Sequence, residues 1–304
     1  MSSVANEKAV DPIHERRSES LWFMPSFEGP HVFGSREHFF HFMFGYLLPG
    51  LEHWVRCAPD KTGIFLTCGP VMNSLIMEAC SLLGLQVSIE SFRPEGKPLN
   101  LKNKIVCARW DCWLTEPVRM SRLDRFGGLS PWSVRSRMQR IRLLFLNRTG
   151  ALKANSSEDL AGWLLLRRSP EHEFYRQGGA AQIPGYGTGR CAIGNIEALA
   201  EGLIDAGIPI QVYEPGRHSL EDQIRVFHGA KGVLGIRGAE FANLLWMRSG
   251  SQALMMATPV EQENHASRHL AKVGGIDFTA VKVDSFHPSV SVIEVLRAIR
   301  RSGK

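Results

Sequence analysis

Residues Ser219–Met247, SLEDQIRVFHGAKGVLGIRGAEFANLLWM, restrict the fold more than any other stretch, because the hydrophobic period changes twice within them. Ser219 stands where an N-cap belongs, and Asp222 three residues later completes a capping-box variant. Leu220, Ile224 and Phe227 follow at i, i+4 and i+7, one face of a helix. Gly229 to Gly232 interrupts that helix, and Val233–Ile236 is the short apolar run of a strand buried on both faces of a parallel sheet. Arg237, Gly238 and Ala239 turn the chain into a second helix with Phe241, Leu244 and Leu245 on its buried side. Small residues at a strand's carboxyl end leave backbone N–H groups aimed at an anion, and in open α/β sheets that edge is where ligands sit. The turn is a candidate site for a phosphorylated ligand. Its plain alternative is the small-residue turn that any αβα unit needs, since the full G-x-G-x-x-G fingerprint is absent.

The same alternation extends in both directions. Toward the N-terminus, Gly63–Thr67 reads as a strand, Cys68-Gly69-Pro70 as its turn and Val71–Leu83 as a helix stopped by Gly84. Gln86–Ile89 and Ile105–Trp110 read as further strands, which makes a βαβ unit. Leu21–Phe33, with Pro25 and Pro30, reads as an irregular or edge strand. Glu37–Val55 carries Phe40, Phe44, Leu47 and Leu51 at helical spacing, with Pro49 near its end. Ser133–Phe145 is helical and basic. Toward the C-terminus come a strand Trp163–Leu166, a glycine-rich loop Gly178–Gly189, a helix Ile196–Asp205 and a strand Ile208–Tyr213. After the central unit follow a strand Ala253–Ala257, a helix around His265–Lys272, a strand Phe278–Val283 and a last helix Ser289–Arg301. The polar stretch Asn147–Gly162 is the most credible boundary. It divides one α/β domain, 1–150, from a second, 151–304, with the last helix a candidate to pack back on the first.

Composition narrows the function classes. Hydrophobic residues make up 44% and charged residues 22% of the 304, as in soluble globular proteins. The first twenty residues hold no apolar core of a signal peptide, and the longest apolar run, Phe39–Leu48, is interrupted by His41. It falls far short of the ~20 residues that a membrane span needs. Six cysteines without a C-x-x-C pair suggest buried thiols in a reducing, cytoplasmic setting. Net charge is +6 and uneven. Arg119, Arg122, Arg125, Arg135, Arg137, Arg140, Arg142 and Arg148 face Asp124 alone. Such a block suits phosphate-bearing partners, including an anionic membrane surface touched peripherally, or is a solvated helix face. Aromatic residues are not interleaved with it, so nucleic acid is not an expected partner.

The C-terminal half resembles glycosyltransferase family 61. The likeness runs through LLLRRS (Leu164–Ser169), RCAIGNIEAL (Arg190–Leu199), SLEDQIRVFHGAKGVLG (Ser219–Gly235) and IRGAEFANLLWM (Ile236–Met247), in the family's order. FFHFMFGYLLP (Phe39–Pro49) is similar to the family's histidine-bearing N-terminal helix. The resemblance implies a GT-B type fold, with two Rossmann-like domains facing a cleft. It also implies inverting, metal-independent transfer of a sugar from a nucleotide diphosphate sugar, a UDP-sugar first, to a hydroxyl acceptor in polysaccharide or glycolipid synthesis. Arg237 replaces the family's histidine, Glu240 a glycine, Ala242 a threonine, Ile196 a glutamate and Asp222 a glutamate. Diphosphate-handling positions are therefore kept better than the position facing the sugar.

The resemblance and the residues themselves together give a set of candidates. Transfer needs a base for the acceptor proton and cations or N–H dipoles for the departing diphosphate. His41 is the first candidate base, ahead of His38 and Asp111, and its plain alternative is a hydrogen-bonded core histidine. Arg190 and Arg237 are candidates for the leaving group, since arginine binds phosphate oxygens in bidentate fashion. Arg167, Arg168, Asn195, Gln223, Gly238, Ala239, Glu240 and Asn243 are candidates for holding the donor. For Arg237 the alternative is an ion pair with Glu240, and for Asn243 a bond inside the turn. His218 and His228 read as structural or surface residues. A competing reading is a non-catalytic sugar-nucleotide-binding scaffold of the same fold. A Rossmann-type dinucleotide enzyme is disfavoured by the missing fingerprint.

Overall fold

The computed structural model describes residues 21–24, 39–90, 105–106, 131–153, 162–170, 172, 187–259 and 265–302. Two wholly parallel sheets emerge from the βα alternation, so the chain is α/β. Strands β1 (Leu21–Met24), β2 (Gly63–Leu66), β3 (Val87–Glu90) and β4 (Ile105–Val106) form the first, in the order β3-β2-β1-β4. β1 pairs with β2 on one side and β4 on the other, so Leu21–Met24 is an interior strand and not an edge. Pro25 comes only after the strand has ended, which leaves every N–H of its four residues available to the ladder.

Helix α1 (Phe39–Phe42) runs through a π-turn (Met43–Leu47) into α2 (Leu48–Cys57). Pro49 does not end this helix. It has no N–H to offer and its ring crowds the preceding turn. The wide turn ahead of it makes room, with the Leu48 N–H reaching back five residues to the Met43 carbonyl. Helix α3 (Pro70–Leu83) follows β2 and stops at Gly84, whose φ of 69° is left-handed. Helix α4 (Pro131–Arg148) precedes the second sheet.

The second sheet comprises β5 (Trp163–Leu166), β6 (Ile210–Tyr213), β7 (Gly232–Ile236), β8 (Gln252–Ala257) and β9 (Asp277–Lys282), in the order β6-β5-β7-β8-β9. Its helices are α5 (Gly187–Arg190), α6 (Ile196–Asp205), α7 (Leu220–Gly229), α8 (His265–Gly274) and α9 (Val292–Ser302). Direction reverses once. β5 to β6 steps one way, and every later strand is laid down on the other side of β5. Right-handed crossovers then place helices on opposite faces. α6 and α9 cover one face, burying Leu199, Leu203, Val295 and Ala298 against Trp163, Leu165 and Leu254. α7, α8 and the segment after β7 cover the other. Among the described residues the last helix therefore makes its main contacts on its own sheet, with β8, β9 and α6, in place of the first half.

The two sheets share one core. Phe23, Phe42, Leu47, Ile76 and Phe145 belong to the same buried cluster as Leu164, Leu166, Ile224, Phe227 and Trp246. Phe145 meets Trp246 edge-on at 5.4 Å. Polar bonds close the seam. The Glu78 carboxylate accepts from the Leu220 N–H at 2.6 Å, and Arg225 donates to the Thr149 carbonyl at 2.8 Å. Arg142, from the basic block, donates to the Leu245 and Met247 carbonyls at 2.6 Å each. Arg140 pairs with the buried Glu52, which also pairs with Arg56 at 3.2 Å. Part of the charge that reads as phosphate-seeking is thus spent on the protein itself. Of the other block positions, Arg135 and Arg148 are exposed and Arg137 is half-buried, while 119, 122 and 125 lie outside the described residues.

Cys68, Cys80 and Cys191 are buried free thiols and Cys57 is an exposed one; Cys107 and Cys112 lie outside the described residues. Burial pushes the Cys80 thiol up to about 12. No helix among the described residues is long and apolar enough to cross a membrane.

Candidate functional site

The reversal of strand order lies between β5 and β7, and the carboxyl ends of strands at such a reversal are where doubly wound sheets bind ligands. β5 alternates cleanly. Leu164 and Leu166 enter the shared core while Trp163 and Leu165 enter the core under α6. Continuing that period, Arg168 emerges on the same side as Leu166, toward the turn after β7.

That turn is built on Arg237 and Gly238. The Arg237 N–H donates to the Met256 carbonyl at 2.7 Å, extending the β7–β8 ladder by one rung. Its carbonyl accepts from the buried Cys191 thiol at 3.3 Å. Gly238 has extended backbone, φ −174° and ψ 176°, which any residue adopts. Its missing side chain leaves space for the Glu240 carboxylate instead. A Cβ built there would overlap Glu240 Oε2 and lie 3.2 Å from Arg168 Cζ.

Arg168 and Glu240 form a pair, Nε to Oε1 3.3 Å, with side chains only 10% and 15% exposed. Arg168 also donates to Cys191 Sγ. Among the described residues neither Arg168 Nε nor Glu240 Oε2 has a hydrogen-bond partner, so the ion pair does not align the Nε–H on the carboxylate. Two further buried hydroxyls at this edge lack partners, Ser169 Oγ and Tyr213 OH. Tyr213 ends β6 in register with Leu166, the last residue of β5, and Ser169 follows just beyond that strand. Burial raises the Tyr213 pKa, with the Asp222 carboxylate adding to it. Buried polar atoms are usually satisfied, and four orphans at one sheet edge set it apart.

The segment following the turn is a 3₁₀ helix, Ala239–Trp246, and not the α-helix that the spacing predicts. Phe241 to Trp246 are all buried, so packing on every side, more than intrinsic period, sets the winding. The tighter winding packs it between α7 and α8. Helix α1, which carries His41, lies against this same segment. The fold therefore brings the candidate base's helix to the element that begins at Gly238. The His41 side chain, like His38 and Asp111, lies outside the described residues.

Several predicted ligand contacts serve the scaffold. Asn195 donates to the Val290 carbonyl at 3.0 Å and accepts from the Val290 N–H at 2.8 Å, so its amide straps the start of α6 to the segment before α9. Gln223 and Asn243 are buried and bonded to each other at 3.0 Å, and Gln223 also donates to the His218 carbonyl at 3.0 Å. This amide chain fixes the 3₁₀ segment to the start of α7. Ser219 caps α7 as predicted, accepting from the Asp222 N–H at 3.1 Å. Arg167 pairs with Glu197 on α6. Arg190 is exposed at the end of α5, which the Thr188 N–H ties to the Ser169 carbonyl at 3.1 Å. Ala239 opens the 3₁₀ segment half-buried. His218 stacks on Tyr213 at 4.5 Å, and buried His228 donates to the Trp246 carbonyl at 2.9 Å, both structural as predicted.

Sequence reasoning missed Cys191, Ser169 and Tyr213. The period-2 pattern of β5 and β6 was the available signal, since it carries the residues just past each strand to the same edge.

Residues 186–254 match the family model described as Glycosyltransferase 61. The match supports a glycosyltransferase. It contains β6, β7, the Arg237–Gly238 turn and the 3₁₀ segment. No curated protein matches the chain. Among solved structures the chain is similar to E. coli heptosyltransferase WaaC with ADP, at 13% identity and a TM-score of 0.40, covering 93% of this chain and 99% of that one. A likeness that slight carries no weight for the site.

Proposed function

We propose that the protein transfers a sugar from a nucleotide diphosphate sugar, a UDP-sugar first, to a hydroxyl acceptor in polysaccharide or glycolipid synthesis. The reading takes the two parallel sheets as the halves of a GT-B arrangement, 1–150 on the acceptor side and 151–304 on the donor side. The observation that carries it is the group of orphaned polar atoms at the β5–β7 edge, inside or beside the family match. The backbone N–H groups that open the 3₁₀ segment, with Arg190 and Arg237, take the diphosphate. His41, on the helix packed against that segment, removes the acceptor proton. Transfer is inverting and independent of metal, and the enzyme works in the cytoplasm, in peripheral contact with an anionic membrane face.

A panel of nucleotide sugars, screened by thermal shift and then by transfer assay with and without a chelator, tests this. One sugar nucleotide should raise the melting temperature, because a ligand that binds only the folded state stabilises it. Turnover should fall at least a hundredfold in His41→Ala and in Arg190→Ala. A second reading, a non-catalytic binding scaffold, is favoured by one observation: Arg167 and Arg168 already have carboxylate partners. Binding without turnover for every donor would establish it.

A further inference from the structure

The Arg168–Glu240 pair is poorly made for phosphate. We infer that it reads a sugar hydroxyl of the donor instead, an inference that rests on the donor-binding reading above. The pair is charge-neutral, and a phosphate laid on Arg168 would meet the Glu240 carboxylate at its side. Its unmet needs are specific. Arg168 Nε–H lacks an acceptor and Glu240 Oε2 lacks a donor among the described residues. A phosphate oxygen supplies only acceptors and leaves the carboxylate unmet. An ammonium supplies only donors and leaves the guanidinium unmet. A hydroxyl has one O–H to give and lone pairs to receive, so a single one, or two neighbouring ones on a sugar ring, satisfies both. The geometry is maintained from three sides. Cys191 Sγ accepts from the far nitrogen of Arg168, Gly238 has no Cβ where Glu240 Oε2 lies, and Glu240 sits in the first turn of the 3₁₀ segment. Phosphate recognition is thereby left to Arg190, Arg237 and the backbone of the turn. The hydroxyl comes from the ribose or from the transferred sugar, and the two sources separate experimentally.

Calorimetry begins with UDP-, ADP-, GDP- and CDP-hexoses on the wild-type protein. Failure of all of them to bind overturns the donor reading, and this inference with it. For the nucleotide that binds, the 2′- and 3′-deoxyribose analogues form one arm and the deoxy-hexose analogues the other. One analogue should bind the wild type about 10–100-fold more weakly than its parent, as expected for the loss of bonds to charged groups. Its arm then identifies the source. Glu240→Gln should weaken the parent by a similar factor and leave that analogue unchanged. Gly238→Ala, which displaces the same carboxylate without removing it, should repeat the pattern in a protein that melts normally. The inference is overturned if no deoxy analogue loses affinity for the wild type, a result that needs no variant. It is equally overturned if Glu240→Gln binds the parent as well as the wild type or better, since better binding means that the carboxylate competes with phosphate.

Discussion

Two turns in this molecule look alike in sequence and differ in chemistry. Cys68-Gly69-Pro70 follows β2 and opens α3, and Arg237-Gly238-Ala239 follows β7 and opens the 3₁₀ segment. The first is self-sufficient. The Cys68 N–H donates to Asn73 Oδ1 at 2.8 Å, the Asn73 amide donates to Thr67 Oγ1 at 2.8 Å, and Pro70 has no N–H to satisfy. Gly69 is there for its backbone, φ 89° and ψ 165°, which a side chain resists. The second keeps polar groups unmet while shielding them from solvent. Gly238 is there for space, and the charged side chains that fill this space keep a donor and an acceptor in hand. A glycine at a βα turn is therefore no sign of a ligand by itself; polar groups left unmet beside it are.

The comparison is easiest to break at Arg168. Arg168→Ala strands a mostly buried carboxylate and should cost ~3 kcal/mol in urea unfolding, whereas Arg168→Met with Glu240→Leu removes both charges and should recover most of that loss. Recovery of stability together with loss of nucleotide binding would mark the pair as kept for its ligand; unchanged binding in the double variant would mark it as scaffold.

Gly69→Ala forces a side chain into a glycine-only region and should cost about 1–3 kcal/mol. Asn73→Ala, which loses two neutral hydrogen bonds, should cost about 1–2 kcal/mol. Both should leave nucleotide affinity unaltered, measured by calorimetry on the folded fraction. A tenfold loss of affinity in either would erase the distinction between the turns.

The smallest effect is one of pH. Burial lowers the His228 pKa, outweighing the opposite pull of the Trp246 carbonyl at the end of the 3₁₀ segment. The folded protein thus prefers the neutral ring, and the unfolded chain takes up the proton first. Stability should be full above about pH 6.5 and decline as the pH falls through it, levelling out only below the depressed folded value. His53 on α2 shifts in the same direction, through burial and then the Arg56 charge, and adds to the slope. Urea midpoints at pH 7.5 and 5.5 should converge partly in His228→Gln. An unchanged gap would assign the slope to other groups.

Much of this was legible in the chain. The Ser219 cap, the Gly84 stop, the Ile196–Asp205 helix and the Trp163–Leu166 strand stand where the spacing puts them. The strand and turn at Gly238 were legible as well, because a short buried strand followed by small residues is a local pattern. The interior position of β1, the continuation of the helix past Pro49 and the 3₁₀ winding after Gly238 were not. Each depends on what packs alongside, and propensity yields to packing when the two conflict.

By itself the sequence determined the α/β class, the order of elements and the position of the turn after β7, since period, caps and glycines act within a few residues of one another. Only the tertiary structure decided how the charges there are used. Asn195 went to Val290, Gln223 to Asn243 and Arg142 to two carbonyls across the seam, while Arg168 and Glu240 met with one group each unspent. These partners are distant in the chain and close only in the fold. A side chain's remaining capacity to bond is known once every neighbour has taken its share.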